Sequence, residues 1–359
     1  MTHAPSLRTA GTLGVLAVAA LVTAGCAPTA SDATEPSGAS SSTVTVYTAD
    51  GLNDGDESYY QQVFAAFTAE TGIEVQVVEG GSGEVLQRVA QEKSNTQADI
   101  LVTLPPFIQS ADEDGLLVDY VPEGSQTVPA DAKDADGAYT ALLSNYIGFI
   151  RNTAELDEAP RTWDDLLDPA YQGLLQYSTP GIAGDGTAML MLAREVLGDQ
   201  ESTEYFEKLQ VNNVGPSDST GQLAAKVDKG ELLIANGDVQ MNYAQSRAMP
   251  NLGIFFLEGT DGTPTTLSVP YYAGLVAGAP HEDAAKKLLD YLYTPEAQEL
   301  ATTAGGGFPA RDDITPTGEA ADALAEIMSG VTVLYPDWMD ISENLDEYVQ
   351  SWNTATGTL

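Results

Sequence analysis

Apolar positions along the chain recur with two different periods. Thr43 to Tyr47 is a run of β-branched and aromatic residues, which predicts a strand. From Glu57 to Glu70 the period lengthens: Tyr60, Phe64 and Phe67 share one face of a helix, and Gly72 supplies its stop. A strand over Ile73 to Val78 follows, then Gly80-Gly81-Ser82-Gly83 and a helix carrying Val85, Leu86 and Val89. Ile100 to Leu104 reads as a third strand, and Pro105-Pro106 opens a helix that ends near Gly115. Strands alternating with helices in this order predict a parallel α/β sheet.

A second α/β series starts near Ile147. It comprises a helix over Trp163 to Leu167, a strand over Leu174 to Tyr177, a long helix from Thr187 to Leu197, and a strand over Leu232 to Ala235 leading into Val239 to Met249. After a strand at Ile254 to Leu257 and an extended segment from Leu267 to Val276, helices cover Asp283 to Tyr293 and Pro295 to Thr302. The polar clusters sit just after strands, at helix starts: Thr48-Ala49-Asp50-Gly51, Gly80-Gly81-Ser82-Gly83, Thr103-Leu104-Pro105, Ser178-Thr179-Pro180-Gly181 and Asn236-Gly237-Asp238. Open α/β sheets bind ligands at the carboxyl ends of their strands. Two such lobes facing each other make a cleft.

The first residues bear on where the chain works. Arg8 is the only fixed positive charge before the small and apolar run Leu13 to Val22. That run is too short to span a bilayer and reads as the apolar segment of a secretory signal peptide. It ends in Thr23-Ala24-Gly25-Cys26, which resembles a bacterial lipobox with threonine in place of the usual leucine. The resemblance implies that residues 1–26 are a lipoprotein leader and that Cys26 is acylated; ordinary cleavage nearby is the alternative. Residues 27–43 are rich in Ser, Ala, Thr and Pro, cannot build a core, and are expected to form a flexible tether. The expected location is extracytoplasmic, lipid-anchored to the outer face of the cytoplasmic membrane.

Composition excludes several chemistries. Cys26 is the only cysteine, so disulfides, thiolate metal sites and cysteine nucleophiles are ruled out. His3 lies in the leader and leaves His281 as the one mature histidine, which a Ser-His-Asp triad or an imidazole zinc site would need. In Ala279-Pro280-His281-Glu282-Asp283 it reads as a solvated residue at a helix start. No catalytic residue, metal or cofactor is expected. With 14 Lys and Arg against 53 Asp and Glu, the formal net charge is −39, and such a surface repels nucleic acid and anionic lipid. An anionic ligand then needs local donors.

Val44-Thr45-Val46-Tyr47, Ala98-Asp99-Ile100-Leu101-Val102, Thr162-Trp163-Asp164-Asp165-Leu166-Leu167 and Pro295-Glu296-Ala297-Gln298 resemble segments of extracellular solute-binding proteins, the type that includes ferric-iron, polyamine and thiosulfate binders. More narrowly, Asp50-Gly51-Leu52, Leu175-Gln176-Tyr177-Ser178-Thr179-Pro180-Gly181, Ala183-Gly184-Asp185-Gly186-Thr187-Ala188, Val211-Asn212-Asn213-Val214-Gly215-Pro216-Ser217, Ser219-Thr220-Gly221 and Ala235-Asn236-Gly237-Asp238 resemble the 2-aminoethylphosphonate-binding subfamily. The resemblance implies an α/β, two-lobed, periplasmic-binding-protein-like fold of type II, hinged by two crossover segments. Residues 44–147 plus 272–359 are expected in lobe 1 and residues 148–271 in lobe 2. It also implies delivery of a small aminophosphonate to a permease that an ATPase drives, and a monomer is expected.

Such a ligand needs donors for its phosphonate oxygens, and helix N-termini supply unpaired N–H groups with about half a positive charge. Gly184-Asp185-Gly186-Thr187, Gly81-Ser82-Gly83 and the stretch with Ser217, Ser219 and Thr220 offer donors without a lysine. Ser178, Thr179, Ser219 and Thr220 are the expected hydroxyl donors, with Ser82, Thr103 and Thr187 also on strand-end loops. Each is equally a residue type that caps helices. The ligand ammonium calls for carboxylates and an aromatic face. Asp50, Asp185 and Asp238 lie on the implicated loops, with Tyr47, Tyr177 and Tyr271 near them; Asp50 and Asp238 are preferred.

Three other readings stand beside this one. Iron binders of this type present adjacent tyrosines after the strand that here reads Ile234-Ala235-Asn236-Gly237-Asp238, where the pair is missing; Tyr271-Tyr272 comes later. A polyamine suits the acidity but not the Ser/Thr/Gly loops. From another class, an extracellular phosphonate or phosphoester hydrolase would use two carboxylates for acid–base or metal chemistry, against which the missing histidines and cysteines count.

Overall fold

The computed structural model describes residues 43–358 apart from Asp54 and Asp56. The leader, Cys26 and all of the expected tether except Thr43 lie outside the described residues. The chain opens with β1 (Thr43–Ala49), α1 (Tyr59–Thr71), β2 (Glu74–Gly80), α2 (Ser82–Gln91), β3 (Ile100–Thr103) and α3 (Phe107–Glu113), and β1 pairs in parallel with both β2 and β3. Local chemistry sets the first helix: Ser58 Oγ accepts the Gln61 N–H, and Gly72 ends it at φ 72°, a conformation glycine adopts without a Cβ penalty. After β4 (Leu117–Val118) and β5 (Thr140–Ser144), the chain leaves this sheet through Asn145-Tyr146.

It enters a second lobe at β6 (Ile147–Asn152). There follow β7 (Leu175–Gln176), α4 (Gly184–Leu197), α5 (Asp199–Leu209), α6 (Leu223–Asp228), β8 (Ile234–Asp238), α7 (Val239–Ser246), β9 (Leu252–Phe255) and β10 (Thr265–Leu267). The chain returns through Ser268-Val269-Pro270 to β11 (Tyr271–Val276), α8 (Glu282–Leu292), α9 (Pro295–Thr303), β12 (Phe308–Pro309) and α10 (Glu319–Ile327). It finishes with β13 (Thr332–Leu334) and α11 (Trp338–Thr356).

The first sheet has the order β12-β5-β11-β3-β1-β2 with β4 beside β11, and the second β7-β8-β6-β9. Because β11 runs antiparallel to β3 and β5, and β6 antiparallel to β8 and β9, both sheets are mixed rather than purely parallel. Val46, Phe67, Ile100, Leu142 and Leu288 belong to one core, and Phe149, Trp163, Leu190, Phe206 and Ile234 to another. The two crossovers lie side by side, with the Val269 N–H donating to Asn145 O at 2.8 Å.

The C-terminal segment departs from the expected division. Trp338, Ile341 and Trp352 are buried in the second core, and β13 pairs with β10. Burial of two indoles and one isoleucine outweighs sequence proximity to the lobe 1 helices, so residues 332–358 complete lobe 2. The link from α10 to β13 is therefore a third passage between the lobes. Two other expectations are revised. The helix at Trp163 is a short 3₁₀ turn over Asp164–Leu167. The extended run Leu267 to Val276 splits into β10 and β11, which belong to different sheets.

Candidate ligand-binding cleft

Three aspartates converge where the strand ends meet. Asp50 follows β1, Asp238 ends β8, and Asp185 lies in the first turn of α4. Asp238 is 1 % exposed and Asp185 3 %. Asp238 caps α7, its Oδ1 accepting the Met241 N–H at 2.6 Å. Its Oδ2 is buried without a hydrogen-bond partner, and so is Oδ1 of Asp185. Burial, followed by the charges of Asp238 and Asp50, drives the Asp185 carboxyl well above its ordinary range. Burial likewise raises Asp238 to about 7, against the opposing pull of the Met241 N–H and the Asn145 side chain. Uncompensated buried charge is what these shifts report.

Asp50 joins the lobes. Its Oδ2 accepts from Ser219 Oγ and from the Gly221 N–H, the latter at 3.0 Å. Tyr271 donates its hydroxyl to the Asp50 carbonyl at 2.8 Å, and Gln240 Nε2 donates to the Gly51 carbonyl at 3.0 Å. On the other flank the Gly83 N–H donates to Ile182 O at 2.9 Å. Apart from the Tyr271 bond, which stays within the first sheet, these bonds join loops of the first lobe to the second, so the cleft is closed.

Two helix starts face each other across it. The cap residues of α2 and α4, Gly81 and Ala183, give no side-chain cap, and first-turn N–H groups have no partner inside their own helix. A Cβ on Gly184 would lie 2.6 Å from Ser82 Oγ, and one on Gly83 would lie 2.8 Å from Ile182 O. Gly186 is needed for the same close fit: a Cβ there would stand 2.2 Å from Ser178 O.

The expected hydroxyl donors divide into two groups. Ser178 and Thr220 form a buried network beside the aspartates: Thr220 Oγ1 donates to Ser178 Oγ at 2.9 Å, Asn236 Nδ2 donates to the same oxygen at 3.0 Å, and the Ser178 N–H donates to Asn236 Oδ1 at 2.8 Å. The others brace loops. Thr179 Oγ1 accepts the Ser217 N–H (3.0 Å), Thr187 Oγ1 accepts the Gly181 N–H (2.9 Å) and Thr103 Oγ1 donates to Ser82 O (3.3 Å). Tyr47 is not brought to the cluster, because its hydroxyl donates to Glu92 at 2.8 Å and its ring lies under Arg88. Tyr177 turns to Gln210. Tyr271 and Tyr272 diverge, the second packing edge-on against Tyr139. Among the described residues, no group of three or more His, Cys, Asp or Glu side chains has the arrangement to hold a metal ion.

Residues 52–299 match the sequence profile of the bacterial extracellular solute-binding proteins. The chain belongs to that family. This solute-binding protein is 45 % identical over 316 residues to a protein of Salmonella typhi named, provisionally, a 2-aminoethylphosphonate-binding periplasmic protein; the match covers 88 % of this chain and 93 % of that one. At 27 % identity it also resembles iron uptake protein A1 of Synechocystis, over 76 % of this chain and 78 % of the relative. Its fold is that of the periplasmic binding protein P5PA, with a TM-score of 0.75 at 23 % identity over 88 % and 99 % of the two chains. In this solute-binding protein the cleft also contains buried residues not among the expected ligand contacts: Asn145 and Gln240, and Asn236 of the Asn236-Gly237-Asp238 cluster. The available signal was an amide inside or beside an otherwise apolar strand, where a polar group needs a structural partner or a ligand.

Proposed function

We propose that this protein captures 2-aminoethylphosphonate and delivers it to an ABC permease driven by an ATPase. One observation carries the reading: buried aspartate oxygens without donors adjoin two uncapped helix N-termini from opposite lobes. A cation seat beside an anion seat suits a zwitterion whose two charges are separated by a short aliphatic chain. A buried acceptor left unsatisfied costs about 1–3 kcal/mol, and an ammonium brings both three N–H donors and the opposite charge. Asp185 and Asp238, with Asp50 closing over them, hold the ammonium. The first turns of α2 and α4, with Ser82 and the Ser178–Thr220 hydroxyls, receive the phosphonate as helix N-termini receive anions. The name of the Salmonella relative supports the same ligand. The protein works as a monomer outside the cytoplasmic membrane, tethered through acylated Cys26.

Calorimetric titration of the purified protein with 2-aminoethylphosphonate, ethylphosphonate, ethylamine, putrescine and ferric citrate tests this. The aminophosphonate is expected to bind tightest, and at a hundred times its dissociation constant to add about 2.7 kcal/mol of stability. Tighter binding of putrescine or ferric citrate would overturn the assignment, and catalytic release of phosphate would move the protein to the hydrolases. Cys26→Ser is expected to release the protein from membranes.

A further inference from the structure

A cavity of about 410 Å³ lies behind the hinge, on the other side of the crossovers from the aspartates. Four aromatic rings and two carboxylates stand in its wall: Tyr146, Tyr272, Tyr335, Trp338, Asp131 and Asp312. Both crossovers feed both sites. Asn145 turns its side chain to the backbone N–H of Gln240 while its neighbour Tyr146 lines the cavity. In the same way Tyr271 reaches Asp50 and Tyr272 lines the cavity.

Three of the rings are fixed. The Trp338 indole N–H donates to Ser268 O at 3.2 Å, Tyr146 stands edge-on to Phe308 with centroids 5.3 Å apart, and Tyr272 stands edge-on to Tyr139 at 5.2 Å. Tyr335 is 68 % exposed and forms the rim. The bases closest in sequence to the two carboxylates are committed elsewhere. Lys133 donates to Ser125 O, while Arg311 pairs with Asp313 and donates to Tyr293 O. Neither Asp131 nor Asp312 forms an ion pair among the described residues. Burial and the adjacent Tyr335 hold the Tyr146 phenol at about 12, so the negative charge of the wall comes from the carboxylates.

We propose that this cavity is a second binding site, for a small alkylammonium cation, seated against the aromatic wall with its charge toward Asp131 and Asp312. Aromatic faces and carboxylates together favour a weakly hydrated organic cation. A bare metal ion would require a convergent oxygen cage, and the described residues form none. The pocket volume is in the range of small-ligand sites, about 300–1,000 Å³. An occupant would touch both crossovers and the turn from β13 into α11 at once.

Calorimetric titration of the folded protein with choline, and with its uncharged carbon isostere 3,3-dimethylbutan-1-ol, tests the site. Choline is expected to bind at one site, and the alcohol roughly tenfold more weakly, the cation–π and carboxylate attractions being absent. Tyr335→Ala and Asp312→Asn, both on the exposed rim, should each weaken choline about fivefold and leave 2-aminoethylphosphonate affinity unchanged. Equal affinity for choline and the alcohol overturns the proposal, as does unchanged choline binding in both variants. Absence of choline binding up to about 10 mM overturns it too, and loss confined to Asp238→Asn would place choline in the cleft instead. The overturning outcomes do not depend on which solute the cleft takes; only the unchanged 2-aminoethylphosphonate affinity rests on the proposed function.

Discussion

Replacing Asp238 with asparagine separates the two tasks that this side chain performs. Its Oδ1 caps α7 through the Met241 N–H at 2.6 Å, and asparagine caps as well as aspartate, so the helix keeps its start. Its Oδ2, buried and without a partner, becomes an amide that offers N–H groups where an ammonium needs an acceptor. Truncating one partner of a buried charge pair costs roughly 2–5 kcal/mol, which is about 30-fold to several thousandfold in affinity. Methylphosphonate, which lacks the amine, should lose almost nothing. The ligand-free protein should respond in the opposite direction. Its Asp238 carboxyl is raised to about 7, from about 3.9 in an unfolded chain. The stability tied to the bound proton is therefore complete below pH 4 and lost as pH rises through 7. At pH 8 the wild type holds an uncompensated charge that Asp238→Asn lacks, and the variant should melt higher. Calorimetric titration with both phosphonates and thermal denaturation at pH 8 read the two effects. Equal loss for both ligands, or a lower melting temperature for the variant at pH 8, would refute the assignment.

Affinity for the aminophosphonate should decline as pH falls through the raised Asp238 range near 7, by up to about tenfold per pH unit for one proton taken up. Asp238→Asn should flatten that slope, the ligand's own titration being common to both proteins. Gly186→Ala should destabilise by roughly 1–3 kcal/mol in denaturant unfolding, because the new Cβ would sit 2.2 Å from Ser178 O; no change would show that the loop yields freely. Trp352→Ala should cost about 3–5 kcal/mol, since the indole is 3 % exposed in the second core; an effect below 1 kcal/mol would detach α11 from that core.

Strongly periodic segments told their structure, and the rest did not, for local reasons. α1 carries its buried face at Tyr60, Phe64 and Phe67 and has both caps in sequence. In contrast, β5 is buried at four of its five positions, so it shows no alternation from which to read a strand. α5 buries only Ser202, Tyr205, Phe206 and Leu209, and α11 only Trp338, Ile341 and Trp352, amid long polar and acidic stretches. Sheet order is non-local. β11 inserts between β3 and β5, with Tyr272 opposite Thr103, a pairing that no window of adjacent residues contains. In the cleft, position after a strand end pointed to Asp50 and Asp238. It did not separate Ser178, which meets Thr220 and Asn236, from Thr187, which holds its own turn. Nor did it turn Tyr47 toward Glu92. Those choices follow from where helices pack on the sheet.

The placement of α11 also sets an order of assembly. Lobe 2 opens at Ile147, yet its core is sealed only by Trp338, Ile341 and Trp352 of α11, beyond the lobe 1 elements β11 to α10. Until α11 is made, a nascent chain has an incomplete second lobe, with the apolar faces around Tyr177 and Phe206 lacking the indole that packs against Tyr177 at 6.2 Å. Completion of lobe 2 therefore waits on a segment that the chain reaches only after passing back through lobe 1.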